Sequence, residues 1–89
     1  MCETEVEIIN KLGLHARAAL KFVETSSKHS SEVTVAIEGR EVNGKSILGL
    51  MTLAAQKGTV LTIETNGEDE KELLDALRTL VSNKFGESA

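Results

Sequence analysis

The chain has 89 residues, with 40% hydrophobic side chains, 27% charged side chains and a formal net charge of -4. This length predicts one small domain over residues 1–89, and the acidic balance and the absence of tryptophan and tyrosine argue against nucleic-acid binding. No apolar run resembles a membrane span or a signal peptide, and a single cysteine, Cys2, favours a reducing cytoplasm. Cys2 is expected to be an exposed, incidental thiol.

The first half of the chain predicts a helix between two strands. Alternation over residues 3–9 predicts a half-buried strand, and residues 10–13 break that pattern. A helix is predicted over residues 16–27, and alternation resumes over residues 32–37. The apolar residues that recur at helical spacing are Ala16, Ala19, Leu20 and Val23.

The second half of the chain predicts shorter elements. A turn at Glu38-Gly39 leads to a short strand over residues 40–42, and a short helix begins at Ile47. Residues 86–89 are expected to fray. The remaining elements are a strand over residues 59–65 and a helix with acids at 68–70 and an apolar stripe of Leu73, Leu74, Leu77, Leu80 and Val81.

The predicted order of elements is β-α-β-β-α-β-α. Strands with alternating faces have one solvated side, so the helices are expected to cover the other side in a two-layer α/β (α+β) sandwich. The pattern does not determine the order of the strands in the sheet. A ferredoxin-like plait with an added helix fits it equally well.

The stretch Gly13-Leu14-His15-Ala16-Arg17 places an imidazole and a guanidinium at the opening turn of the first predicted helix. Unpaired amides and the helix dipole there favour an anion such as phosphate. The free nitrogen of His15 is a nucleophile for a phosphoryl group, and Arg17 supplies paired donors to its oxygens. No carboxylate within this loop is available to activate water, which suits a carrier. The alternative interpretation is an ordinary surface histidine near a helix start.

Ser46 precedes the short helix that begins at Ile47. One interpretation is a plain N-cap, whose hydroxyl accepts from the free amides of the helix. The functional interpretation adds phosphorylation, which would place negative charge on the helix dipole beside an apolar patch.

The short helix has a broad apolar face formed by Ile47, Leu48 and Met51. A helix this short cannot bury such a face against one sheet, so part of it is expected to be exposed to partners. The competing interpretation is core, which we assign to Leu50 and Leu53.

The second histidine, His29, lies in a serine-rich loop with no arginine beside it. We interpret it as a solvated loop residue. Two histidines and one cysteine provide no convincing metal-ligand set, and neither a metal nor a cofactor is expected.

Together these residues resemble the HPr family, the histidine-containing phosphocarrier proteins of the bacterial phosphoenolpyruvate-dependent phosphotransferase system. The resemblance covers nearly the whole chain, and two motifs in register are more specific than either one alone. The stretches that carry it are Asn10-Lys11-Leu12-Gly13-Leu14-His15-Ala16-Arg17, Val42-Asn43-Gly44-Lys45-Ser46-Ile47-Leu48-Gly49, Gln56-Lys57-Gly58-Thr59 and Gly67-Glu68-Asp69-Glu70.

The resemblance implies an open-faced β-sandwich with an antiparallel sheet in the order 1-4-2-3 and three helices on one side. It implies that His15 accepts a phosphoryl group on Nδ1 from the first enzyme of the system and passes it to sugar-specific or regulatory acceptor domains. Arg17 would neutralise charge on the transferring group, and Ser46 would be a regulatory site for HPr kinase/phosphorylase. The implied docking surface consists of Ala16, Leu20, Ile47, Leu48 and Met51.

Three positions depart from the family pattern. Ala18 replaces a usual proline, which is expected to loosen the loop modestly, and Glu24 replaces a frequent basic residue, which would weaken docking to acidic partners. Ala54 replaces a common glycine and is expected to favour helix. The opening strand and the phenylalanine near the C-terminus also resemble the nitrogen-related branch of the family.

The favoured function is a phosphoryl carrier, expected to be a monomer and a substrate of other enzymes, not an enzyme itself. The alternative is a purely regulatory module that is phosphorylated on Ser46 and binds a transcription regulator through Ile47 and Met51. A third class, a small-ligand sensor, needs a glycine-rich loop at a dimer interface, for which we find no strong case.

Overall fold

Four strands and three helices make up the fold, and the computed structural model describes all residues, 1–89. The strands are β1 (Cys2–Glu7), β2 (Glu32–Ile37), β3 (Arg40–Asn43) and β4 (Val60–Asn66). The helices are α1 (Ala16–Ser27), α2 (Ile47–Thr52) and α3 (Glu70–Ser82), followed by a 3-10 turn over Lys84–Gly86. These bounds agree with the predicted ones to within about two residues, the usual uncertainty of element ends.

The strands form one antiparallel sheet in the order β1-β4-β2-β3, with β4 and β2 at its centre. Val6 lies opposite Leu61 and Val35 opposite Ile63, and all four side chains are buried. The same cluster of 18 buried residues contains the buried faces of the helices, so the helices cover this face. The two-layer sandwich is confirmed, as is the strand order that the resemblance implied and the hydropathy pattern left open.

The buried face of α1 differs from the one predicted by apolar spacing. Ala16 and Leu20 belong to the predicted set but are exposed, Leu20 at 45%. Phe22 decides the orientation because, as the largest apolar side chain of the helix, it removes the most apolar surface from water when buried. The buried residues are Ala18, Ala19, Phe22 and Ser26.

A left-handed residue follows α2. The helix ends at Thr52, Leu53 is its C-cap, and Ala54 has φ of 49°. The expectation that Ala54 favours helix is therefore wrong, because the residue lies beyond the helix end. Glycine adopts this conformation without the steric cost that the Cβ of alanine carries.

The C-terminal tail is docked against the domain. Phe85 is fully buried, and its carbonyl accepts a hydrogen bond from Lys21 Nζ at 2.6 Å. The amide of Lys11 donates to the carbonyl of Ala89 at 2.8 Å. The prediction that residues 86–89 fray is wrong, because burial of the ring and these two bonds hold the tail against the loop that precedes α1.

The N-terminal thiol is paired. Cys2 is half-buried, and its Sγ donates to Glu70 Oε2 at 3.1 Å. The amino group of Met1 lies 2.7 Å from the same carboxylate oxygen. The expectation of an exposed, incidental thiol at Cys2 is therefore wrong.

Candidate functional site

His15 is the N-cap of α1, with extended backbone angles of φ -79° and ψ 179°. Its Nδ1 accepts a hydrogen bond from the amide of Arg17 at 3.3 Å. Because Nδ1 accepts this bond, the ring proton of the neutral imidazole is on Nε2 and the lone pair is on Nδ1. The imidazole therefore presents an unprotonated nitrogen at the positive end of the helix.

The loop before His15 is positioned by the close approach of its backbone at Gly13 to the carbonyl group of Ala55. Gly13 has φ of 69°, and a Cβ added there would lie 2.4 Å from the carbonyl oxygen of Ala55. The next amide, that of Leu14, donates to the same oxygen at 2.8 Å. Only glycine allows this approach, so Gly13 determines where the following histidine stands.

Glu87 completes the surroundings of the imidazole. Its Oε2 accepts a hydrogen bond from His15 Nε2, and its Oε1 accepts one from Asn10 Nδ2 at 3.0 Å. The side chains of His15 and Glu87 are 25% and 14% exposed. Burial raises the pKa of the Glu87 carboxyl, but the hydrogen bonds from His15 and Asn10 and the charges nearby outweigh it, so the pKa lies below its ordinary value.

Sequence reasoning missed Glu87, since the residue stands 72 positions from His15 and lies within the segment expected to fray. The only signal of its importance is Phe85. A lone aromatic residue near the end of a chain with two aromatic residues in total is a strong candidate for burial, and a buried ring anchors the residues around it.

Unused hydrogen-bond donors surround the unprotonated nitrogen. The amides of Ala16 and Ala18 have no acceptor within the chain, and the first turn of α1 contains no acidic residue. Arg17 is exposed, and its guanidinium takes no part in the ion pairs of the structure. These groups suit a tetrahedral anion placed next to Nδ1. The shallow cavity beside them, of about 260 Å³, is lined by Lys11, Leu12, Arg17, Glu87, Ser88 and Ala89.

Ser46 is the N-cap of α2. Its Oγ accepts a hydrogen bond from the amide of Gly49 at 3.0 Å, and the residue is half-buried. The capping interpretation is thus confirmed.

The predicted docking residues lie on two helices that pack against each other, α1 and α2. Leu48 and Met51 are 77% and 41% exposed, whereas Ile47 is half-buried against the core. Ala16 and Leu20 are one helical turn apart on the exposed side of α1. Leu12, which the prediction omitted, is 67% exposed beside Arg17 in the cavity described above.

His29 lies beyond the opposite end of α1, about 20 Å from His15 at the usual helical rise. His29 lies in the loop as predicted, but it is half-buried and its Nδ1 donates to the carbonyl of Thr25 at 3.1 Å, so it is only partly solvated. No three metal-binding side chains gather anywhere in the structure. None of its helices has the length and apolar character needed to cross a membrane.

Comparisons with known proteins agree with this geometry. The family model described as "PTS HPr component phosphorylation site" matches residues 2–83. The chain is 56% identical over 87 residues to the phosphocarrier protein HPr of Neisseria meningitidis serogroup A, covering 98% of each chain. It is 40% identical over 84 residues to the HPr-like protein Crh of Halalkalibacterium halodurans, covering 94% of this chain and all of the other.

Solved structures show the same fold. The crystal structure of HPr-C-His from Thermoanaerobacter tengcongensis superposes with a TM-score of 0.96 at 46% identity and covers 100% of both chains. The phosphocarrier protein HPr of Bacillus anthracis superposes with a TM-score of 0.84 at 37% identity, covering 88% of this chain and 93% of the other. The chain therefore belongs to the HPr family of phosphocarrier proteins.

Proposed function

We propose that this protein accepts a phosphoryl group on Nδ1 of His15 from the phosphoenolpyruvate-charged first enzyme of the phosphotransferase system. It then delivers the group to downstream acceptor domains that serve sugar uptake or regulation. The observation that carries this proposal is the unprotonated Nδ1 at the N-cap of α1, with unpaired amides beside it. The family assignment supports a phosphocarrier role.

The chemistry of the first step requires only the groups at the helix end. The lone pair of Nδ1 attacks phosphorus, the Nδ1–P bond forms, and the bond from phosphorus to the donor breaks with its electron pair leaving on the donor. The amide of Arg17, which donates to Nδ1 in the free protein, then donates to a phosphoryl oxygen. The amides of Ala16 and Ala18 supply further donors to the other oxygens.

Arg17 acts at the same centre as a catalytic residue. Its guanidinium is exposed and without an anionic partner in the chain, so it is available to bind the equatorial phosphoryl oxygens as their charge develops. Ala18 leaves an additional amide at this helix end, where proline would have none. This donor offsets the looser loop expected from the loss of proline.

Ser46 is proposed as a regulatory phosphorylation site for an HPr kinase/phosphorylase. The residue is half-buried at the N-cap, and a phosphate there would accept from the amides of α2 without unfolding the helix. The added charge would stand next to Ile47 and Leu48 and weaken apolar docking. The purely regulatory alternative relies on this site alone.

The proposed docking surface for the first enzyme, the acceptor domains and a transcription regulator is the exposed part of α1 and α2. Large apolar side chains that remain in water on neighbouring helices favour this use. Its members are Ala16, Leu20, Ile47, Leu48 and Met51. We further propose that the chain acts as one domain, in the cytoplasm, and as a monomer.

The decisive experiment mixes the purified protein with phosphoenolpyruvate and the first enzyme of the system, and records the intact mass before and after acid treatment. We expect one acid-labile phosphoryl group in the wild type and in the matched control His29→Ala, and none in His15→Ala. An adduct that persists in His15→Ala, or no adduct at all with a demonstrably active enzyme, would contradict the proposal. The second result would favour the regulatory alternative at Ser46.

A further inference from the structure

Glu87, which contacts His15, lies beyond the residues that the family model matches, since that match ends at residue 83. Glu87 follows α3 and the 3-10 turn, so it is brought to His15 by the tail and not by the sheet. The two residues are each largely shielded from solvent, at 14% and 25% exposure of their side chains. The contact is therefore a partly buried interaction and not one between two fully solvated surface groups.

The tail reaches His15 through an unusual backbone path. Lys84, Phe85 and Gly86 have successive φ values of 57°, 55° and 79°, in the left-handed region that residues other than glycine rarely adopt. The fully buried Phe85 ring compensates for this path, and the amide of Glu87 donates to the carbonyl of Lys84 at 2.9 Å. Strain of this kind concentrates where a side chain must be placed accurately.

Glu87 is itself held from the opposite side. Asn10 is fully buried, and its Nδ2 donates both to Glu87 Oε1 at 3.0 Å and to the carbonyl of Gly13 at 2.8 Å. One amide group thus joins the carboxylate to the loop that positions His15. The other charged group that acts on this carboxylate is Lys21, whose Nζ binds the carbonyl of Phe85.

We propose that Glu87 is a positioning residue for phosphoryl transfer, which orients the imidazole of His15 through Nε2 and balances the charge that the ring acquires. This inference rests on the proposed role of His15. When the lone pair of Nδ1 forms a bond to phosphorus while Nε2 keeps its proton, the ring becomes cationic. The carboxylate that already accepts the Nε2 hydrogen bond stabilises that cation, and the fixed ring keeps Nδ1 directed at the helix end.

The test compares Glu87→Gln and Glu87→Ala with wild type and with Glu72→Ala, which removes an exposed carboxylate on α3 outside the site. The first readout is nuclear magnetic resonance of the imidazole Nε2–H of His15 in the unphosphorylated protein. A hydrogen bond to carboxylate moves this proton downfield and slows its exchange with water. We expect that signal in wild type and Glu72→Ala, and its loss in Glu87→Ala.

The second readout is the rate of phosphoryl acceptance from the charged first enzyme under saturating conditions. We expect kcat to fall about tenfold in Glu87→Ala, the usual size of losing the residue that orients a functional histidine, with KM little changed. Glu87→Gln retains an acceptor without the charge, so its rate should lie between those of Glu87→Ala and wild type. An unchanged kcat in Glu87→Ala, or a lower kcat with an unaltered Nε2–H signal, would overturn the inference.

The two proposals fail in distinguishable ways. If His15 takes no phosphoryl group in the wild type, the proposed function is lost, yet the Nε2–H signal still reports whether Glu87 holds the ring. If the wild type is phosphorylated but Glu87→Ala behaves like Glu72→Ala in both measurements, only the inference about Glu87 is wrong.

Discussion

The carboxylate of Asp69 joins α3 to the start of β2 through Ser31. Its Oδ1 accepts both from the hydroxyl and from the amide of Ser31, the latter at 2.9 Å, while the Ser31 hydroxyl oxygen accepts from the Asp69 amide at 3.1 Å. Asp69 is the N-cap of α3, but its side chain makes no bond to that helix. The residue therefore fastens two elements together instead of capping one.

This link predicts acid sensitivity. The hydroxyl of Ser31, followed by backbone amides that outweigh the effect of burial, lowers the pKa of Asp69 from its ordinary value of 3.8 to about 2. Because the folded pKa lies below the unfolded one, the stabilisation is complete above about pH 4 and is lost as pH falls towards 2. We expect Asp69→Asn to be less stable than wild type in urea at pH 6, with the difference shrinking between pH 4 and pH 2. A difference independent of pH would contradict this assignment.

The hydrogen bond between Cys2 and Glu70 predicts that the Cys2 thiol reacts slowly. A hydrogen bond to the Glu70 carboxylate, aided by burial, raises the pKa of the Cys2 thiol, so less of the reactive thiolate is present. We expect Glu70→Gln to make Cys2 react severalfold faster with iodoacetamide at pH 8. The matched control is Glu68→Gln, an exposed acid nearby, which should leave the rate unchanged. Equal rates in all three proteins would show that the carboxylate does not protect the thiol.

Alanine substitutions at Gly13 and Gly58 distinguish the effect of steric crowding on stability from the effect of backbone conformation. Both have positive φ, of 69° and 93°, but an added Cβ at Gly58 meets nothing within 4 Å, whereas at Gly13 it lies 2.4 Å from Ala55 O. We expect Gly58→Ala to lower the free energy of unfolding by about 1 kcal/mol, from the left-handed conformation alone. Gly13→Ala should lose about 1–3 kcal/mol more, because the backbone must shift. Similar urea midpoints for the two variants would refute the close approach at Gly13.

Substitution of Ala54 is expected to raise the stability of the fold, in contrast to the losses expected at Gly13 and Gly58. Replacing it with glycine removes the cost of a Cβ at φ of 49°, so Ala54→Gly is expected to stabilise the fold by about 0.5 kcal/mol. The same change at Ala76, within α3, should destabilise by about 1 kcal/mol. Thermal unfolding of the two variants measures both effects, and loss of stability in Ala54→Gly would mean that the residue is helical after all.

Two substitutions of Ser46 separate the stability that its N-cap hydrogen bond provides from the effect of negative charge on binding. Ser46→Ala removes the acceptor of the Gly49 amide and should lower the free energy of unfolding by about 1 kcal/mol. Ser46→Asp keeps an acceptor at the N-cap and should stay within a few tenths of a kcal/mol of wild type. If both variants unfold at the wild-type urea concentration, the cap contributes nothing. Binding of Ser46→Asp to the first enzyme, measured by calorimetry, is expected to be weaker than that of Ser46→Ala.

Local patterns were sufficient to predict the secondary-structure elements and the placement of His15 at the start of α1. Alternation and helical spacing act over a few residues, so the order of strands and helices and the break before His15 could be predicted from neighbours in the chain. The contact between His15 and Arg17 is equally local, since the amide that donates to Nδ1 belongs to the residue two positions further along the chain.

The sequence by itself thus determined the secondary structure and the position of His15 at the start of a helix, because each depends on contacts between near neighbours. Only the tertiary structure decided which face of α1 is buried, that Ala54 lies beyond α2, and that Glu87 reaches His15. These features depend on the packing of Phe22 and Phe85 into a shared core and on hydrogen bonds between distant segments. Local periodicity carries no information about such bonds, because each joins residues far apart in the chain. Its free energy includes the entropy lost in closing the loop between them.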